Sequence, residues 1–184
     1  MYTYINGVFS IMSELRTNRI VPRDGLPSGS SGGVIQVKSV TKTDGDFNTN
    51  SSSYTDVTGL SVSITPTRSD SKMLIFANIH GVGDSNTQAY FRFMRDSTAI
   101  CVGDAAGNRV QATMGSLYED QENDTNCCSQ TFLDSPSTTS AVTYKIQART
   151  QGAGNIYINR SRGDQNQATS GRFTSTITVM EVSG

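Results

Sequence analysis

Leu60-Ser-Val-Ser-Ile-Thr-Pro66 alternates apolar and hydroxyl side chains and then stops at a proline. A period of two puts Leu60, Val62 and Ile64 on one face and Ser61 and Ser63 on the other, the pattern of a half-buried β-strand. Pro66 has no N–H to give a ladder, so a central strand has to end before it.

The same period extends outward in both directions. Upstream, Val34-Ile-Gln-Val-Lys-Ser-Val40 reads as a first strand. Downstream, Met73-Leu-Ile-Phe-Ala-Asn-Ile79 is nearly continuous in apolar side chains, which predicts a strand covered on both faces. Ala89-Tyr-Phe-Arg-Phe-Met-Arg95 follows, then a turn at Asp96-Ser97 and a short run Thr98-Ala-Ile-Cys-Val102. Further strands are expected at about 110–114, 127–133, 141–149, 155–159 and 173–182. In the last, Phe173, Ile177 and Val179 share one face against Thr174, Thr176 and Thr178. This spacing, with no convincing helical repeat, predicts about eight to ten strands in an all-β, antiparallel, jelly-roll-like sandwich. No self-similarity at a period of about 20 to 50 residues points to a propeller or solenoid.

Composition agrees with that class. Of 184 residues, 35% are hydrophobic and only 17% charged, so polarity comes from Ser, Thr, Asn, Gln and Gly rather than from charge. A core this lean gains from contacts between subunits. With 15 basic against 16 acidic residues and no block of like charge, the chain lacks the basic footprint that nucleic acid requires. No apolar run reaches the roughly 18 to 20 residues of a membrane span, so membrane insertion is not expected. Glu14 is the first charged residue, and the stretch before it lacks the positive start of a secretion signal. Cys101, Cys127 and Cys128 have no metal spacing and read as free thiols of a chain made in a reducing cytoplasm. Three Asn-x-Ser/Thr sequons, at Asn50, Asn123 and Asn159, carry little weight in so Asn- and Ser-rich a chain.

Residues 1–32 differ from the rest. They end in the linker Ser28-Gly-Ser-Ser-Gly-Gly33, which marks a boundary because Gly/Ser runs behave as flexible coil. Leu15, Thr17, Arg19 and Val21 share a face if the segment is extended, whereas Ser13 and Glu14 can instead open a helical turn. Too few apolar residues are present for this segment to fold alone, so it is expected to order against another copy or another protein.

Few residues offer chemistry. His80 is the one histidine, placed at a strand end before Gly81-Val-Gly83, and no Gly-x-Ser-x-Gly elbow, His-Glu-x-x-His helix or phosphate loop accompanies it. Asp44-Gly-Asp46 and Glu119-Asp-Gln-Glu-Asn-Asp124 carry oxygen ligands of the kind Ca²⁺ takes, but neither has the spacing of an EF-hand loop, and both read as solvated loops. A polysaccharide hydrolase would need paired carboxylates, for which Glu119, Glu122 and Asp134 are the loose candidates. A lectin-like module would stack sugars on exposed aromatics such as Tyr118 or Tyr157. Tyr90, Phe91, Phe93 and Met94 place apolar side chains on both faces of one strand, so Tyr90, Phe91 and Phe93 are candidate subunit contacts, with an Arg92 paired to an acid as the alternative. Polar loops at 103–108 and 163–170 are candidates for a receptor surface. No enzyme activity, metal or cofactor is expected.

Met12-Ser-Glu-Leu-Arg-Thr-Asn-Arg-Ile-Val-Pro-Arg-Asp-Gly25, followed by a Gly-rich break and Gly33-Val-Ile-Gln-Val-Lys38, resembles tail-fibre and related virion proteins of tailed phages, particularly marine cyanophages. Tyr54-Thr-Asp-Val-Thr-Gly-Leu-Ser-Val-Ser-Ile-Thr-Pro66, Ser71-Lys-Met-Leu-Ile75 and Phe93-Met-Arg-Asp96 are similar to the C-terminal β-domains of such proteins. Most of the chain is covered, by pattern rather than by a catalytic signature, and the eleven residues before Met12 depart from the pattern. The resemblance implies a virion structural protein, a tail fibre or spike. It also implies a homotrimer whose residues 1–32, with Leu15, Arg19 and Val21, dock to other virion proteins while residues 33–184 project toward host surface glycan or protein. A head decoration or connecting protein without a receptor fits the same residues.

Overall fold

The structure, a computed structural model, describes residues 33–116 and 122–184. Eleven strands run through the described residues: β1 (Val34–Lys42), β2 (Asn48–Thr49), β3 (Thr55–Ile64), β4 (Lys72–Gly83), β5 (Gln88–Arg95), β6 (Thr98–Ile100), β7 (Met114–Ser116), β8 (Asn126–Asp134), β9 (Val142–Gln151), β10 (Ile156–Ile158) and β11 (Ser175–Val182). One sheet has the order β1-β11-β4-β10-β2, with β8 also paired to β4; the other runs β3-β9-β5-β6, with β7 also paired to β5. Every pairing between these strands is antiparallel, and the described residues are an all-β, jelly-roll-like sandwich.

The core forms where the two inner faces meet. Met73, Ile75, Ile79, Ile177 and Val179 come from the first sheet, and Leu60, Val62, Ile64, Phe91, Phe93 and Ile146 from the second. All are at most 3% exposed. Truncating one of the larger ones, such as Phe91, costs about 3 to 5 kcal/mol in a core of this kind.

The alternation read at Leu60, Val62 and Ile64 is present, but it is re-phased just upstream. Thr55 and Asp56 pair with Ala148 and Gln147, and pairing resumes at Ser61 with Lys145. Residues 57–60 thus bulge opposite a single residue, with Gly59 at φ 85°, a conformation that costs glycine little. The bulge lets Val57 and Leu60 both face the core, which strict alternation would forbid. The turn at Asp96-Ser97 forms as expected. Arg95 pairs with Thr98 across it, and Asp96 exchanges two hydrogen bonds of 2.8 Å with the backbone of Thr143.

Three expectations need correction. β4 is covered on one face only: Met73, Ile75, Ala77 and Ile79 enter the core, while Phe76 is 39% exposed on the opposite face. The described residues form two layers, so among them the outer face of β4 meets no third layer. No strand forms at 110–113. There the Thr113 hydroxyl accepts the Phe93 N–H at 3.0 Å, taking the place of a ladder bond, and β7 begins one residue later. Finally, β11 starts at Ser175, because Phe173 and Thr174 turn aside to pack against His80.

Candidate functional site

His80 belongs to a buried polar hub. Its Nδ1 lies 2.8 Å from the Thr174 carbonyl, which only accepts, so Nδ1 carries the proton. The ring stacks on Phe173 with centroids 5.2 Å apart. Its backbone N–H donates to Ser175 Oγ at 3.0 Å, and Ser175 Oγ donates to Asn159 Oδ1 at 2.6 Å. Asn159 is fully buried in a left-handed conformation (φ 63°), and its Nδ2 donates to the carbonyls of Lys42 at 2.8 Å and Asp44 at 3.0 Å. The hub thus ties β1, β4, β10 and β11 together, and the Asn159 sequon is sealed inside it. Among the described residues no group of three or more His, Cys, Asp or Glu is placed to hold a metal ion.

Of the candidate carboxylates, Asp134 is committed to the fold. Asp134 is 6% exposed and accepts from Arg95 Nη1 at 2.9 and 3.0 Å and from the Tyr144 hydroxyl at 2.7 Å. Glu122 sits in a loop where Gln165 Nε2 donates to it at 3.1 Å, and Glu119 lies outside the described residues. Asp44 pairs with Lys42, and the ammonium together with the Asp46 N–H holds its carboxyl below the usual range. The pairing of an arginine with an acid falls to Arg95 rather than Arg92.

A different surface gathers recognition groups. Residues 103–113 fold back on themselves: Gly103 N–H donates to the Ala112 carbonyl at 3.1 Å, and Gln111 Nε2 to the Gly103 carbonyl at 2.8 Å. Between this loop and the start of β5 lies an open cleft of about 320 Å³ lined by Tyr90, Asp104, Arg109 and Thr113, among others. Tyr54 anchors the loop through a 2.7 Å hydrogen bond from its hydroxyl to the Gln111 carbonyl. The Arg92 guanidinium lies 4.0 Å above the Tyr54 ring and donates to Gln147 Oε1 at 2.8 and 2.9 Å. Gln147 and Lys145 in turn donate to Asp56, each at 2.6 Å. Burial pushes the Tyr54 phenol up, although Arg92 and Arg149 pull the other way. An aromatic face, a guanidinium and a carboxylate around an open cleft can stack and hydrogen-bond a polar ligand.

Of the residues proposed as subunit contacts, only Tyr90 is available at the surface. Phe91 and Phe93, at 0 and 1% exposed, sit in this chain's own core, because odd-numbered positions of β5 face inward. Tyr90 points the other way, into the cleft, and its hydroxyl donates to Gln88. The loop at 103–108 forms one wall of the cleft. The loop at 163–170 is braced instead by Gly163 N–H to the Glu122 carbonyl at 2.8 Å and Ser170 Oγ to Asn123 at 3.0 Å. Tyr157 is half-buried beneath the Arg160 guanidinium at 4.2 Å, while Leu15, Arg19, Val21 and Tyr118 lie outside the described residues. Sequence reading missed Tyr54, Arg92 and Gln147 as a unit, since nothing local marks residues that meet across two strand pairings.

No protein-family model matches this chain, and no curated protein does. Among solved structures it is similar to one described as the structure of infectious bursal disease virus Gx strain, at 13% sequence identity and a TM-score of 0.37. That likeness covers 82% of this chain, which spans 42% of the other. At this level it adds nothing to the strand pairings, on which the fold rests.

Proposed function

We propose that this protein is a structural component of a phage particle, a tail fibre or spike, that assembles as a homotrimer and engages a host surface glycan or protein without chemical turnover. The observation that carries this reading is the cleft of Tyr90, Asp104 and Arg109, held against a rigid sheet through Tyr54. Its aromatic face, guanidinium and carboxylate are groups of recognition, and among its described lining residues no hydroxyl or thiol is paired with an adjacent base. The resemblance of the 12–38 and 54–96 segments to phage fibre proteins supports the same reading. In it, residues 1–32 dock to other virion proteins, and three copies convert weak contacts at each cleft into firm adhesion.

The test is retention of the full-length chain on host cells and on an array of surface glycans, with its mass measured by light scattering. Expected are a mass three times 19.8 kDa and binding that Tyr90→Ala and Arg109→Ala weaken without lowering the melting temperature. A trimer that binds no host surface would overturn the attachment role and leave a decoration or connecting protein. Release of sugar from a bound glycan would make it an enzyme instead.

A further inference from the structure

We infer that the outer face of the β1-β11-β4-β8 sheet is the surface through which copies of this chain pack against one another. The registers align a cross-strand row of four apolar residues on that face: Val37, Met180, Leu74 and Leu133. Val37 is 50% and Leu133 52% exposed, although each sits in regular sheet. The next row places Phe76, 39% exposed, among Ser39, Thr178 and Thr131, and the row beyond it is Thr, Thr, Asn and Ser.

Charge selects the occupant. Across these three rows no residue is ionisable, whereas the outer face of the second sheet carries Asp56, Arg92, Lys145 and Arg149. An uncharged face offers no counter-charge to nucleic acid or to an anionic membrane. It can, however, meet a second copy of itself without setting like charges together, and hydroxyls that both donate and accept are self-complementary.

The area suffices. Four strands about 4.8 Å apart and three rows about 7 Å apart, with their side chains, make a patch roughly 20 Å on a side. Two contacting patches together bury roughly 800 Å², the low end of the size of protein interfaces. Val34 and Ile35, 55 and 43% exposed, continue apolar surface along β1, in a row that reaches Lys72 on β4 and so bounds the uncharged patch. In a trimer, three such faces turn toward the common axis, the β1 side of each meeting the β8 side of its neighbour, and the charged sheet, with its cleft, is left outward.

This inference rests on the proposed self-association, and one experiment separates the two. The mass of the full-length chain is measured by light scattering for the parent, for Phe76→Asp with Leu133→Asp, and for Ser63→Asp on the opposite outer face. The expected result is an associated parent, an associated Ser63→Asp control, and a threefold fall in mass for the double variant with its far-UV circular dichroism retained. Thr131→Glu, a polar-for-polar change at an exposed position, is expected to dissociate the assembly too and serves if the double variant does not fold. An associated parent whose mass neither change lowers overturns the face but not the trimer. A monomeric parent overturns both.

Discussion

Tyr144, on β9 of the second sheet, donates its hydroxyl to Asp134, on β8 of the first, at 2.7 Å. Arg95, at the end of β5, reaches the same carboxylate, so one buried acid is gripped twice from the opposing layer. Burial raises the pKa of the Tyr144 phenol far above its ordinary value, and Asp134 adds to the effect, so the hydroxyl stays protonated and a donor throughout the range of folding. The clamp is a polar rivet through the sandwich.

Removing one arm of the rivet leaves a buried charge short of a partner. Tyr144→Phe is expected to cost about 1.5 to 3 kcal/mol, the usual worth of a hydrogen bond to a charged group. For a domain of this size that lowers the melting temperature by roughly 3 to 10 °C. Urea unfolding of the two proteins side by side checks this, and a loss below about 0.5 kcal/mol would show that the clamp does not join the sheets.

Acid should loosen the fold through Glu181. This fully buried carboxylate accepts from Gln36 Nε2 at 2.6 Å and from the Thr67 N–H and hydroxyl at 2.7 Å each. Burial alone would raise its pKa, but these donors outweigh it and bring the value down to about 2. A folded value below the unfolded one, near 4.5, means the stabilisation is present above pH 4.5 and is lost as pH falls toward 2. The shift corresponds to something on the order of 3 kcal/mol. Glu181→Gln should be less stable at neutral pH, because an amide cannot accept all three bonds, and should lose less between about pH 5 and pH 2. An unchanged acid limb in the variant would assign the pH dependence elsewhere.

Asn159 separates backbone strain from hydrogen bonding. Asn159→Ala removes three side-chain hydrogen bonds from a buried site and leaves a left-handed φ that alanine resists. A loss of at least about 3 kcal/mol is expected. Asn159→Gly relieves the backbone but restores no bond, so it should recover only about 1 kcal/mol of that loss. Full recovery by glycine would mean that the bonds to Lys42, Asp44 and Ser175 contribute little.

The three cysteines should differ in reactivity. Cys127 is exposed, whereas burial raises the thiol pKa of both Cys101 and Cys128 and so lowers their share of reactive thiolate. Brief maleimide labelling at neutral pH, mapped by mass spectrometry, is expected to modify Cys127 first. Equal labelling of all three in the folded protein would contradict the burial of the other two.

Much of the fold was legible because it is local. Leu60, Val62 and Ile64 announce their strand and Pro66 its end, and Asp96-Ser97 marks a hairpin through residues that tolerate its geometry. What escaped is what long-range partners decide. The run at 73–79 looked doubly covered because periodicity reports which side chains are apolar, not whether a second layer exists to meet them. Phe91 and Phe93 could be assigned to the core only once the inward parity of β5 was fixed by its neighbours. Nothing near Asp134 in sequence announces Arg95 or Tyr144, and Tyr54 acquires its role from a loop some 57 residues away.

The sheet order also dictates a sequence of events in time. β11, the last of the eleven strands to be synthesised, is inserted between β1 and β4, among the first. Until it emerges from the ribosome, β1 lacks its ladder partner among the described strands, and the flank of β4 that β11 will occupy lies open as an unpaired edge of the kind that aggregates. Folding of this sheet therefore waits on β11, and a chain lacking Ser175–Val182 would lose not a margin of the sheet but the strand that joins β1 to β4.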